Sequence, residues 1–142
     1  MPLNYRRRTL LAGALALGTL PAWAAYPDKP IKLLTPFPPG GQVATVAQAL
    51  AQKMGALLGQ PVVMEALPGA GGTIAAAQAT RAPKDGYTLL FATSSMLGSA
   101  KYTYRDLPYD PVADFAPVGY IGNVTIGLFA SQKSGIDSLQ AA

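Results

Sequence analysis

The alternation of short apolar runs with helical periodicity, each change marked by proline or glycine, constrains this chain more than any other feature. Ile31-Lys32-Leu33-Leu34-Thr35 lies between Pro30 and Pro36 and reads as a strand. From Gln42 to Leu58 the apolar residues Val43, Val46, Ala47, Leu50, Met54 and Leu57 recur at helical spacing. Gly59 then supplies a residue that tolerates a left-handed helix cap. Pro61 precedes a second strand, Val62-Val63-Met64-Glu65. An alanine-rich helix runs from about Thr73 to Arg81, and Pro83 with Asp85-Gly86 marks the turn before a third strand, Tyr87 to Ala92. The order β-α-β-α-β predicts an α/β fold with a mostly parallel sheet and flanking crossover helices.

Beyond the third strand the pattern weakens. Tyr102 to Pro117 holds no periodic face. Asp106, Asp110 and Asp114 are spaced four apart, which on a helix would align three carboxylates for a metal, but Pro108 and Pro111 break any such helix. They read instead as solvated loop carboxylates. Two further strands are expected, Pro117 to Ile121 and Val124 to Ala130. Asp137-Ser138-Leu139-Gln140 has the spacing of a capping box, yet only Ala141 and Ala142 follow, too few to form a face that could be buried. The sequence reads as cut off.

The formal charge of +4 invites a nucleic-acid reading, so its location matters. Arg6, Arg7 and Arg8 precede an uncharged stretch, Thr9 to Ala25, most apolar from Leu10 to Leu20 and closing in Ala22-Trp23-Ala24. Basic, apolar and small-residue regions in that order form a secretory signal peptide, expected over residues 1–24 with cleavage near Ala24. Arg7-Arg8-Thr9-Leu10-Leu11 resembles the twin-arginine consensus but lacks a clear Ser or Thr before the pair, leaving both export routes open. A membrane span needs about 20 apolar residues, and Pro21 interrupts this stretch first. Removing the signal takes three of the 11 Lys and Arg residues, leaving eight against seven acids and a charge of +1 over residues 25–142. The remaining cations are scattered, so no phosphate-tracking surface survives and nucleic acid is excluded as a partner.

The chain contains neither cysteine nor histidine. Disulfides, thiolate metal sites, Ser-His-Asp catalysis and histidine-based zinc sites are thereby excluded. What remains are two glycine-rich loops, Pro36 to Gly41 and Pro68 to Gly72, each following a strand and opening a helix. A helix N-terminus offers unpaired N–H groups and partial positive charge to an anion, while glycine allows close approach. In a parallel sheet both loops share the edge where ligands bind. Neither loop contains the lysine of a nucleotide-binding P-loop, and Ile74 occupies the position where a dinucleotide fingerprint needs a third glycine or alanine. Thr93-Ser94-Ser95 after the third strand adds hydroxyls at the same edge. These residues suit carboxylate or phosphate, and the same loops also read as plain tight turns.

Four motifs in register carry a resemblance. Tyr26-Pro27-Asp28-Lys29-Pro30-Ile31 leads into Pro39-Gly40-Gly41, and Gly59-Gln60-Pro61-Val62-Val63 leads into Pro68-Gly69-Ala70-Gly71-Gly72-Thr73-Ile74. Pro83-Lys84-Asp85-Gly86-Tyr87-Thr88-Leu89-Leu90 and Tyr109-Asp110-Pro111-Val112-Ala113-Asp114-Phe115-Ala116-Pro117-Val118 follow. Together they resemble the Bug-type periplasmic solute receptors of tripartite tricarboxylate transporters. The resemblance implies a two-lobed periplasmic-binding-protein fold that closes on a small organic acid, with no cofactor, no metal and no catalysis. Membrane transporter subunits are the implied partners. Phe37, Pro39, Gly40 and Gly41, with Thr93, Ser94 and Ser95 opposite, are the implied ligand-binding residues. Gly69, Ala70, Gly71 and Gly72 are a lesser assignment that shapes the site.

Three features depart from the family pattern. An aspartate and an arginine usual after the Gly-Gly pair are Ala44 and Gln48, and an asparagine after the second strand's glutamate is Ala66. Loss of the aspartate disfavours an amino-acid ligand. Such receptors also run to about twice this length, so residues 25–142 are expected to be an incomplete solute-binding domain, the N-terminal lobe and the start of the second. The expected function is non-covalent capture of a carboxylate in the periplasm. The alternatives are an inactive truncated receptor and, remotely, a small-molecule enzyme using Ser, Asp, Lys or Tyr.

Overall fold

The computed structural model of the chain describes residues 25–125, 127–136, 138 and 140. The signal-peptide reading and the expected helix start at Asp137 lie outside them. Three strands, β1 (Ile31–Thr35), β2 (Val62–Ala66) and β3 (Thr88–Leu90), form one parallel sheet in the order β2-β1-β3. The helices α1 (Gln42–Leu58) and α2 (Thr73–Thr80) make the two crossovers. The expected β-α-β-α-β order is therefore present, with β3 confined to the three residues that pair with Lys32, Leu33 and Leu34.

Side-chain alternation in β1 sends neighbouring leucines to opposite faces. Leu33 packs with Ala47, Ala51 and Phe91, while Leu89, Met64 and Val62 border the same cluster beneath α1. On the other face Leu90 joins Ala76 of α2, Met96 and Tyr109. Of the series read from the spacing, Ala47 is buried and Val43 and Leu50 pack against the core, while the fully buried row of α1 is Ala44, Ala47 and Ala51. Small residues there let the helix backbone lie close to the sheet, which tips Val46 and Leu57 outward. Leu57 is 86% exposed.

After β3 a helical segment replaces the plain loop expected at Thr93-Ser94-Ser95. It begins at Ser94, runs through a wide π-type turn over Ser95–Ser99, and ends in a short helix, α3 (Ala100–Thr103). The Tyr109 hydroxyl donates to the Met96 carbonyl at 2.9 Å, and Tyr109 meets Phe115 edge-on, so the proline-rich stretch is pinned to this segment. Asp110 and Asp114 are exposed and spend their oxygens on backbone N–H groups of the same turn, as solvated loop carboxylates do.

The two further strands are not found. Residues 117–125 and 127–130 contain no strand. A strand needs a hydrogen-bonding neighbour, and among the described residues the outer edges of β2 and β3 are unpaired. Val118, Tyr120, Val124, Leu128 and Phe129 keep strand-like composition but are all exposed.

At the opposite edge from the glycine loops, the segment before β1 is clasped to the turn before β3. The Tyr26 hydroxyl donates to the Gly86 carbonyl at 2.7 Å, and the Tyr87 hydroxyl donates to the Asp28 carboxylate. Lys29 lies 3.4 Å from Asp85 and 4.2 Å from the Tyr87 ring centre. The backbone N–H of Tyr87 holds the Asp85 carboxyl below its ordinary pKa, and the charge of Lys29 adds to the effect.

Gly72 is the tightest joint of the fold. Its φ is +94°, and a Cβ there would lie 2.6 Å from Met96 Sδ and 3.1 Å from Pro36 Cβ. Gly72→Ala is expected to cost about 2–4 kcal/mol, combining left-handed strain with overpacking. Gly40 has the same φ of +94° and open space around it, so Gly40→Ala should cost only about 1–2 kcal/mol. Urea unfolding of the two variants checks this, and equal losses would contradict it.

Candidate functional site

The three strands end at one level. Thr35 pairs with Ala66 and Leu34 with Leu90, and the ladder runs one step further through Leu67 N–H to the Thr35 carbonyl and Phe91 N–H to the Leu34 carbonyl, both at 2.8 Å. The chain therefore leaves the sheet from adjacent points in all three places. A Cβ on Gly72 would touch both Pro36 and Met96, which puts the second loop against the first and against the segment after β3.

The first loop turns on Thr35, whose fully buried side-chain oxygen accepts from the Phe37 N–H at 3.3 Å. Gly40 and Gly41 are exposed, and Gly41 is the N-cap of α1. No side chain caps that terminus and its first turn holds no acid. Its positive partial charge and N–H groups thus face outward unneutralised. Phe37 and Pro39 do not join the hydroxyls of the third loop. They line a cleft of about 410 Å³ between α1 and β2, beside Ala44, Gln48 and Ala66. The three positions that depart from the family pattern thus share one cleft.

The second loop is built from backbone conformations that suit glycine. Gly69, Ala70, Gly71 and Gly72 have φ of +126°, +47°, +62° and +94° in succession. Ala70 is the non-glycine in this run and carries left-handed strain. Gly72 opens α2 with no side-chain cap, but a 3-10 turn over Ala70–Gly72 already uses the first donors. The Gly72 N–H donates to the Gly69 carbonyl at 2.9 Å, and the Thr73 N–H to the Ala70 carbonyl. In the third loop the Thr93 and Ser95 hydroxyls bond each other at 2.8 Å, and the Thr93 carbonyl accepts from the Leu97 N–H at 3.2 Å. One hydroxyl proton is used within the pair, leaving the other for a ligand oxygen. Ser94 and Ser95 are exposed.

Two residues outside the sequence reading border this edge. Met96 is fully buried against Gly72, and the Tyr104 hydroxyl lies 2.9 Å from where a Cβ on Gly71 would sit. Neither stands in a recognisable motif, and only the approach of distant segments brings them in. No group of three or more Asp, Glu, His or Cys residues capable of holding a metal occurs among the described residues. The edge offers donors, glycine backbone and helix N-termini, a chemistry suited to holding an anion without reacting with it.

Comparison with known proteins shows the family. Residues 46–142 match the family model of the tripartite tricarboxylate transporter family receptor, and the chain belongs to that family. BugT of Bordetella pertussis is 39% identical over 117 residues, 82% of this chain but 36% of BugT. Among solved structures, the periplasmic binding protein BugD is 39% identical with a TM-score of 0.63, covering 66% of this chain and 31% of BugD. MatC from Rhodopseudomonas palustris with bound malate is 36% identical with a TM-score of 0.65, covering 68% of this chain and 33% of MatC. The chain thus spans little more than a third of the length of the curated relative BugT. Family and fold are those of solute-binding receptors.

The cleft allows a direct test of its packing. Ala44 is buried and Gln48 lies one helical turn on, along the same face. Ala44→Asp alone should cost about 2–3 kcal/mol by burying an unpaired carboxylate. Adding Gln48→Arg should restore most of that loss by supplying a partner one turn away. Denaturant midpoints of the single and double variants decide it; no recovery would place the two side chains out of reach.

Proposed function

We propose that this chain is an exported solute receptor, or the ligand-holding first lobe of one, that captures a small organic carboxylate non-covalently. Residues 1–24 act as the export signal, cleaved near Ala24, and residues 25–142 work in the periplasm. The observation that carries the reading is the convergence of three loops on one sheet edge, with the uncapped N-terminus of α1 and a hydroxyl pair there. Backbone N–H groups after Gly40 and Gly41 would solvate one carboxylate, with Thr93, Ser94 and Ser95 donating from the far side. Phe37 and Pro39 would form an apolar wall on the α1–β2 side, in the cleft next to this edge, and Gly69 to Gly72 would set the floor. A second lobe would close over the acid by hinge motion and deliver it to membrane transporter subunits. The malate held by MatC supports a dicarboxylate as the ligand class.

A second reading is favoured by the exposed apolar side chains between Val118 and Phe129. In it the chain is part of a receptor whose outer surface needs further polypeptide to cover it, and it self-associates instead of binding.

One experiment separates the two. Malate, succinate and citrate are added to the purified chain in a thermal-unfolding assay, with sedimentation run in parallel. The receptor reading predicts a monomer stabilised by at least one acid, by about 5 °C or more at a hundredfold excess over Kd. No shift with any acid, together with concentration-dependent association, would establish the second reading.

A further inference from the structure

We infer that Tyr104, backed by Lys101 and Arg105, reads the second carboxylate of a dicarboxylic acid held at the loop edge. The inference rests on the carboxylate reading and names the residues that set its selectivity. Tyr104 ends the helical segment after β3, where the backbone changes from helical to extended. Its hydroxyl is the atom nearest the Cβ position of Gly71, so the phenol reaches over the second glycine loop. The same side chain lines an open groove of about 680 Å³ with Lys101, Arg105 and Asp110. A single residue therefore borders both the loop edge and a groove carrying two cations.

The groove sets two cations, Lys101 and Arg105, against one acid, Asp110. Among the described residues neither Lys101 nor Arg105 forms a salt bridge, the two ion pairs being Lys29–Asp85 and Lys32–Glu65. Asp110 is the acid in the groove, and its Oδ1 already accepts from the Val112 and Ala113 N–H groups at 2.8 and 2.9 Å. Those backbone bonds hold its carboxyl below the ordinary range and commit it to the turn. The groove presents a phenol donor, an ammonium 4.8 Å from the Tyr102 ring centre and a guanidinium against the one carboxylate of Asp110, a net positive set that suits a carboxylate and gives a methyl group nothing. An acid held at the loop edge beside Gly71 would lie next to the Tyr104 phenol, the residue that joins this edge to the groove.

The test pairs malate with 2-hydroxybutyrate, which has the same carbon chain and hydroxyl but a methyl in place of one carboxylate. Calorimetric Kd values are measured for the native chain, for Tyr104→Phe and for Lys101→Gln/Arg105→Gln. The native chain should prefer malate by about tenfold or more. Both variants should reduce that preference to within about threefold, with unchanged 2-hydroxybutyrate affinity and unchanged unliganded Tm. Variants that keep the tenfold preference would overturn the inference. So would a native chain that binds both acids equally, although the carboxylate reading would then stand. A native chain that binds neither would contradict the carboxylate reading, and the inference with it.

Discussion

The structure depends on β1 being paired on both sides. Its carbonyl and N–H groups serve β2 on one edge and β3 on the other, and the ladder fixes Thr35 opposite Ala66 and Leu34 opposite Leu90. A parallel strand cannot slip by one residue without turning its buried side chains to the wrong face. Leu33 and Leu34, both buried on opposite faces, make such a slip costly in either direction. The common level at which the three strands stop follows from that register. The binding edge follows from the common level.

Gly72 turns a shared level into a shared site. It lets the second loop lie against Pro36 and Met96, so the loop geometry is set by core packing and not by loop flexibility. Met96 is anchored in turn, because its carbonyl accepts from the buried Tyr109 hydroxyl. Burial pushes the Tyr109 phenol above its ordinary pKa, so it remains a donor at physiological pH. Core and site are therefore one packing problem. The clasp of Tyr26, Asp28, Lys29 and Tyr87 ties the segment before β1 to the turn before β3 at the far edge of the sheet.

The sequence makes the sheet legible because proline and glycine punctuate it at every change of direction. α1 is readable to the residue at both ends, Gln42 and Leu58, since its periodicity is bounded by Gly41 and Gly59. Which face of α1 is buried was less legible. Hydrophobic spacing finds Val43, Ala47 and Leu50 on the core side but also includes Val46 and Leu57, which close approach of the alanine row to the sheet leaves outside. Pro117 to Ala130 misleads for a different reason: strand propensity is present, but among the described residues this segment pairs with neither free edge of the sheet, β2 or β3. The glycine loops announce themselves by composition. Tyr104 does not, because its place over Gly71 depends on a helical segment that no motif marks.

We propose that the carboxylate sits at the C-terminal edge of the sheet, on the loops after β1 and β3. Amide chemical shifts of the isotopically labelled chain, followed during a malate titration, test it most directly. The account predicts saturable shifts at Gly40, Gly41 and the first turn of α1, and at Thr93 to Ser95, with Tyr26 to Lys29 unmoved. Shifts confined to the clasp at the opposite edge, or none at the loops while malate binds, would contradict it.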